Sequence, residues 1–260
     1  MQEDFLYFCQ KVFQKTGIDL QSYKFQQMKR RLDMLLKSNN LSNYRDYFNL
    51  ISQDKEKYQE FLDKITINVS EFFRNPNQFF YLRDKILPDL YKENGPLKIW
   101  SAACSTGEEP YSVAMLIKEA GVKIKDKIIA TDIDNKVLQK AMRGIYSKKS
   151  ITNVPPNYLN KYFEKKSDDE YIVKKEIKDM VKFVHHNLLK DEYEKDYDLI
   201  LCRNVVIYFT DETKQNLYKK FNQSLKPGGV LFTGNTELIF DAKSLGFRSI
   251  ATFFYQKISN

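Results

Sequence analysis

The chain has 260 residues, 42% of them apolar, with 19 Phe and 17 Tyr, which supplies a sizeable core and excludes a wholly disordered chain. Only 9 Gly and 7 Pro are present, which excludes collagen-like and low-complexity architectures. Net charge is +8, a balance that suits an acidic partner if the charge is concentrated on one face.

Residues 1–66 read as helical. Phe25, Met28, Leu32, Leu35 and Leu36 recur at three and four residues and mark one buried face. Lys24, Lys29, Arg30, Arg31 and Lys37 crowd the same stretch against a single acid, Asp33. Arg30 and Lys37 fall opposite the apolar stripe, and Lys24 and Arg31 share a flank. This basic helix is the sharpest charge concentration in the chain, although charge alone also fits a solvated face.

Residues 67–96 form a linker and a helix. Asn75-Pro76 predicts a helix start, with Asn75 as the cap. That helix should run through Phe79, Phe80, Leu82 and Ile86 and stop near Pro88 or Gly95. From 97 to 260 the pattern alternates. Strands are predicted at 97–103, 128–131, 181–185, 198–202 and 230–233. Helices are predicted at 110–120, 135–142 and 211–225, the last ended by Pro227-Gly228-Gly229. Such alternation predicts an α/β fold with a doubly wound, mainly parallel sheet. Phe163, Tyr171, Ile172 and Val173 around Ser167-Asp168-Asp169 predict a small antiparallel β-subdomain inserted at about 160–182.

Cys9, Cys104 and Cys202 lie far apart, form no disulfide framework and suit a reducing compartment. His185 and His186 are adjacent, so on a strand they point to opposite faces, and no metal site is expected. The opening Met1-Gln2-Glu3-Asp4-Phe5 carries acids where a secretory signal carries bases. No apolar run approaches the roughly 18 residues of a membrane span. The expectation is a cytoplasmic protein without direct membrane insertion.

The first predicted strand ends in Ser101-Ala102-Ala103-Cys104-Ser105-Thr106-Gly107-Glu108-Glu109-Pro110. A turn of small residues admits a ligand close to backbone. Yet only the last of the three glycines of a dinucleotide fingerprint is present, with Ala103 and Ser105 at the others, and no Lys follows as in a P-loop. Glu108 and Glu109 would repel a phosphate and welcome an ammonium. Asp132 ends the second strand about 25 residues later, placed to accept from ribose hydroxyls, while Asp134 reads as a helix cap. An adenosine ligand with an ammonium and no phosphates fits both signals, which describes S-adenosylmethionine better than NAD.

Together with Ala130-Thr131-Asp132-Ile133-Asp134 and Cys202-Arg203-Asn204-Val205-Val206-Ile207-Tyr208-Phe209, that first string resembles the CheR family, the chemotaxis receptor glutamate methyltransferases. Phe72-Phe73-Arg74 and Leu225-Lys226-Pro227-Gly228-Gly229 fit as well, and the resemblance covers nearly the whole chain. It implies S-adenosylmethionine as methyl donor, S-adenosylhomocysteine as product and receptor glutamates as acceptors. It also implies cofactor contacts at Asn68, Ser70, Arg74, Ala103, Glu109, Asp132, Asn187, Leu188, Arg203 and Asn204. Ser70 stands where some members have Thr and keeps the hydroxyl. By the same resemblance Glu109 takes the methionyl ammonium, Asp132 the ribose, and Asn187 and Leu188 flank the adenine.

A glutamate side chain has a pKa of about 4.3, so the nucleophile is ionised at neutral pH and needs no general base. Catalysis then reduces to alignment and controlled desolvation. Arg74 is suited to hold a carboxylate and Tyr208 to orient it, and these two are the expected catalytic residues. Two alternatives share the cofactor or the partner. A nucleic-acid methyltransferase would carry an Asp/Asn-Pro-Pro-aromatic motif where Arg203-Asn204-Val205 stands, and no Cys follows a Pro; nucleic acid is not an expected partner. A non-catalytic receptor-binding module would show broken cofactor motifs, and these are intact.

The expected partner is the helical bundle of the receptors' cytoplasmic part, met by Lys24, Arg30, Arg31 and Lys37 of the basic helix, with the protein as a monomer. Some family members bind a receptor C-terminal peptide through a glycine-containing loop of the β-subdomain. Residues 164–170 here contain no Gly, so dependence on that tether is not expected.

Overall fold

A computed structural model describes residues 2–258; Met1, Ser259 and Asn260, at the outer ends of the first and last expected segments, lie outside it. Four helices come first: α1 (Gln2–Thr16), α2 (Phe25–Ser38), α3 (Tyr44–Gln53) and α4 (Lys55–Ile65). Their core is aromatic, with Phe8, Tyr44, Tyr47 and Phe61 buried around one another. On α2, Met28, Leu32, Leu35 and Leu36 are buried as the periodicity requires. Phe25, the first residue of the stripe, is instead 49% exposed and touches Phe5 edge-on, because the first turn of the helix overhangs the core.

Residues 66–75 cross from the helices to the rest of the chain. Phe72 and Phe73 are fully buried. Phe73 and Asn75 both take left-handed backbone, φ 52° and 63°, so Arg74 sits between two strained residues. Asn75 therefore does not cap the helix with its side chain, contrary to the sequence expectation. The helix that follows, α5 (Pro76–Tyr81) and α6 (Leu87–Asn94), is continuous through a π turn at Leu82–Ile86. Pro88 does not stop it. A proline ring clashes with the carbonyl four residues back, and the wider turn, closed by Leu87 N–H to the Leu82 carbonyl, absorbs the misfit.

The remainder is a seven-stranded sheet. Its elements are β1 (Ile99–Ala102), α7 (Glu108–Ala120), β2 (Ile128–Asp132), α8 (Asn135–Arg143), β3 (Ile145–Ser147), α9 (Pro156–Tyr162), β4 (Phe163–Lys165), β5 (Glu170–Val173), α10 (Lys175–Lys178), β6 (Val181–His185), β7 (Tyr197–Cys202), α11 (Asp211–Ser224), β8 (Leu225–Thr233), β9 (Phe247–Ala251) and β10 (Phe254–Lys257). The order is β6-β2-β1-β7-β8-β10-β9, parallel from β6 to β8. Strands β1 and β7 are buried at every residue, as expected of strands covered on both faces. The chain leaves β1 toward β2 on one side and returns as β7 on the other, so the carboxyl ends of β1 and β7 open a crevice.

Three sequence expectations change here. The β-subdomain is a three-stranded sheet, β3-β5-β4, because Ile145–Ser147 joins the predicted hairpin. Pro227-Gly228-Gly229 does not separate helix from strand but lies inside β8, where the register against β7 shifts. A Cβ on Gly229 would stand 2.9 Å from the Tyr197 carbonyl oxygen, so the bulge needs glycine. Finally, β9 and β10 form an antiparallel edge that the sequence pattern did not reveal.

Candidate active site and cofactor cleft

A cleft of about 1000 Å³, counting its open mouth, lies at the carboxyl ends of β1, β2, β6 and β7. Its walls hold Asn68, Ser70, Arg74, Ala103, Glu109, Asp132, Asn187, Leu188, Arg203, Asn204 and Tyr208. Every cofactor and catalytic residue expected from the sequence is thus brought to one place. Of the four basic-helix residues none lines it, but Arg31 stands directly behind its wall.

The first wall is the turn after β1. Ala103 and Ser105 adopt left-handed backbone, φ 60° and 49°, at the two positions where a fingerprint glycine is missing. The turn keeps the glycine shape with small residues in its place. Gly107, φ 93°, faces protein: a Cβ there would lie 2.8 Å from the Ala141 methyl group, so this glycine serves helix–sheet packing. The Ser105 N–H donates to Asp132 Oδ2 at 2.8 Å, and the Asp134 N–H donates to Oδ1 at 3.0 Å. Asp132 is therefore held by two backbone donors and keeps acceptor capacity on each oxygen. Asp134 caps α8 as expected. Burial pushes the Asp132 carboxyl above its ordinary pKa, against those hydrogen bonds.

Glu109 opens α7 beneath the turn. Its Oε1 accepts from the Ser101 hydroxyl at 2.8 Å and its Oε2 faces Arg203 Nη1 at 3.4 Å. Burial raises its pKa despite the Arg203 charge. A carboxylate so poorly solvated gains most from a cationic ligand group. Glu108, on the buried side, accepts from the Thr106 hydroxyl at 2.7 Å and does not line the cleft.

Arg203 is buried, its guanidinium between the rings of Phe79 and Phe232 at 4.9 and 4.6 Å. It donates to the Arg74 carbonyl at 2.9 Å and to Asn75 Oδ1 at 3.1 Å. The Asn75 side chain, idle as a cap, thus receives Arg203 and fixes the strained turn that carries Arg74. Asn68 spans to Asp134 Oδ2 at 3.2 Å and accepts from the Ser105 hydroxyl at 3.3 Å, tying the crossing segment to the β1 turn.

Asn187 lines the cleft, and its side chain is also tied to protein. Its Nδ2 donates to the Gly17 carbonyl at 3.0 Å and its Oδ1 accepts from the Leu189 N–H at 2.9 Å. The side chain shapes the turn after β6 and joins it to the helical part of the chain, leaving Leu188 as the apolar surface of that wall. His186, which the sequence reading set aside, lines the same wall; burial lowers its pKa, which keeps it neutral.

Tyr208 ends a 3₁₀ turn, Val206–Tyr208, after β7. Its carbonyl accepts from the Lys24 N–H at 2.9 Å, and the Thr210 N–H donates to the Ser22 carbonyl at 2.9 Å. Tyr23 and Phe209 complete this antiparallel bridge, their rings 4.9 Å apart. The Arg31 guanidinium lies 5.0 Å over the Tyr208 ring and donates to the Ile65 carbonyl at 3.1 Å. Arg31 is therefore engaged at the cleft, whereas Arg30 and Lys37 point to solvent and Lys24 is half-buried at the head of α2. Two residues were not foreseen: Tyr23, which reaches the cleft from the helical part, and Glu237, which lies behind the turn after β7. The Glu237 carboxylate is buried and accepts from the N–H groups of Asn204, Gly234 and Val206 at 2.7, 2.7 and 3.0 Å. Among the described residues no group of His, Cys, Asp and Glu could hold a metal ion, and no helix is long and apolar enough to cross a membrane.

The CheR methyltransferase SAM-binding domain matches residues 68–253, and the CheR methyltransferase all-α domain matches residues 3–66. Chemotaxis protein methyltransferase of Listeria monocytogenes is 40% identical over 259 residues, covering 99% of this chain and 98% of its own. The protein of the same name from Borreliella burgdorferi is 40% identical, covering 93% and 90%, and that of Escherichia coli is 36% identical, covering 88% and 82%. With a cradle of small residues, a desolvated carboxylate and a strand-end acid assembled in one cleft, and with both family domains matched in order, the chain belongs to the CheR methyltransferases.

Proposed function

We propose that the protein transfers a methyl group from S-adenosylmethionine to glutamate side chains of chemotaxis receptors, leaving glutamate methyl esters and S-adenosylhomocysteine. The observation that carries this reading is the meeting of Glu109, Asp132, Arg74 and Tyr208 in one cleft. Residues 97–260 hold the cofactor, 67–96 supply Arg74, and 1–66 meet the receptor.

The cleft fits this cofactor: Glu109 is a desolvated partner for the ammonium, Asp132 has acceptor capacity for ribose, and the β1 turn leaves room where side chains would intrude. When bound, the cofactor supplies a methyl group on a cationic sulfonium that departs as a neutral thioether. The chain's own residues do the rest. Arg74 and Tyr208 hold the glutamate carboxylate in line, with its charge intact because no proton must move. They are most useful where they hold the geometry of the transition state rather than the free carboxylate, since tight binding of the ground state blunts the nucleophile. Arg31 behind the Tyr208 ring adds positive charge on the acceptor side.

The test is incubation of the full-length protein with labelled S-adenosylmethionine and membranes bearing the organism's receptors. Label should enter receptor protein as a base-labile ester, mapped to glutamates by mass spectrometry. Absence of ester label, or label in nucleic acid instead, would overturn the reading.

A further inference from the structure

We propose that Phe240 and Leu238 form an apolar anchor that seats the acidic receptor helix presenting the target glutamate; this rests on the receptor-methylation reading above. Phe240 is 96% exposed and Leu238 49%, yet Ile239 between them is buried. The segment is not a loose loop. Glu237 holds the backbone N–H groups of Asn204, Val206 and Gly234, and the Ile239 N–H donates to the Tyr255 hydroxyl at 2.9 Å. Fixed backbone on both sides of Leu238 presents two large apolar side chains to solvent. Together with the apolar lining of the groove beside them they form a contiguous patch rather than scattered single residues.

Position identifies the occupant. Phe240 and Leu238 line a groove with Val206, Ile207, Lys24 and Lys214. The cofactor cleft is lined by Val205, Tyr208 and Phe209. Groove and cleft are therefore two sides of one 3₁₀ turn, whose three residues span about 6 Å. A helix that delivers a side chain to Tyr208 has its next residues of the same face roughly 5 to 11 Å away, within reach of the groove.

Charge gives the chemistry. On the rim Asp211 is paired with Lys214 at 2.9 Å, and Asp241 stands at the far end. Lys24 begins α2, whose Arg30 and Lys37 face solvent. The groove itself carries no excess of bases over acids, so it takes the apolar face of an amphipathic helix, and the positive charge that meets that helix's acids comes from the exposed face of α2.

The experiment compares the full-length protein with Phe240→Ser, Phe240→Leu and Leu238→Ser. These exposed positions leave the fold intact, which thermal melting verifies. Receptor KM and kcat are measured on receptor-bearing membranes, and cofactor affinity by calorimetry. Phe240→Ser should raise receptor KM by about tenfold or more, with kcat at saturating receptor and cofactor affinity unchanged. Leu238→Ser should act in the same direction, and Phe240→Leu should restore most of the loss. An unchanged KM in a protein whose parent methylates receptors would overturn the anchor. A parent that methylates no receptor overturns the underlying reading before any variant is compared.

Discussion

The carboxylate of Glu237 accepts the backbone N–H of Asn204 at 2.7 Å and fixes that residue at φ 60°. The same carboxylate takes the Val206 N–H, so it sets both the cofactor-side residue Asn204 and the turn that ends in Tyr208. Glu237→Gln would turn one acceptor into a donor against N–H groups. Turnover should fall about tenfold or more, with cofactor affinity reduced less, because Asp132 and Glu109 are untouched. Steady-state kinetics at saturating cofactor would check this, and full turnover would remove Glu237 from any positioning role.

Asp132 and Glu109 give a prediction for the cofactor. Asp132→Ala should weaken S-adenosylmethionine binding by about 1–3 kcal/mol, the range of charge-assisted hydrogen bonds. Burial raises both carboxyl pKa values above the ordinary range. Protonation removes the charge that receives the ammonium, so affinity should fall as pH is lowered, starting above the pH at which an exposed carboxylate titrates. Calorimetry from neutral pH down toward the ordinary carboxylate pKa of about 4 would show a flat profile if the idea is wrong.

Arg74 and Tyr208 should separate binding from chemistry. Arg74→Ala is expected to lower turnover far more than cofactor affinity, and Tyr208→Phe to do the same more mildly. Either variant with full turnover on a receptor substrate would lose its catalytic assignment.

Arg30 and Lys37 test docking, since both face solvent while Arg31 is committed to the Tyr208 ring. Reversing Arg30 and Lys37 to Glu should reduce receptor methylation and its salt sensitivity and leave cofactor affinity alone. Retained methylation would return them to an ordinary solvated face.

The β-subdomain carries a prediction about tethering. In residues 164–170 no position has left-handed backbone, and Lys165–Asp168 and Lys166–Glu170 ion pairs cross the turn. A receptor C-terminal pentapeptide should show no micromolar binding in titration. Binding at that strength would restore the tether.

How far the sequence could be read follows from range of interaction. Central strands such as β1 and β7 were legible because a strand covered on both faces must be apolar throughout, as Tyr197–Cys202 is. The acids of the cleft were legible because Glu109 follows the turn after β1 into the first turn of α7 and Asp132 ends β2, positions fixed by the strand–turn–helix pattern. Strands β9 and β10 were not, since an antiparallel edge with exposed Arg248 and Ser249 lacks a strong pattern. The continuity of the helix through Pro88 was hidden because a local rule predicts a stop and only tertiary packing sustains the π turn. The bond from Asn187 to Gly17 was hidden as well, because it depends on a contact between distant segments that no local pattern encodes.

The bridge between Tyr23 and Phe209 makes completion of the acceptor wall conditional on long-range docking. Glu237 holds the start of the turn from within the sheet domain, and the bridge to residues 22–24 secures its Tyr208 end. Such a contact, joining early and late parts of the chain, forms after the local ones. The acceptor side is complete only when both ends of the chain are in register. Methylation competence is in this way a report on the integrity of the entire polypeptide, and the two portions cannot be exchanged between relatives without matching residues 22–24 to residues 208–210.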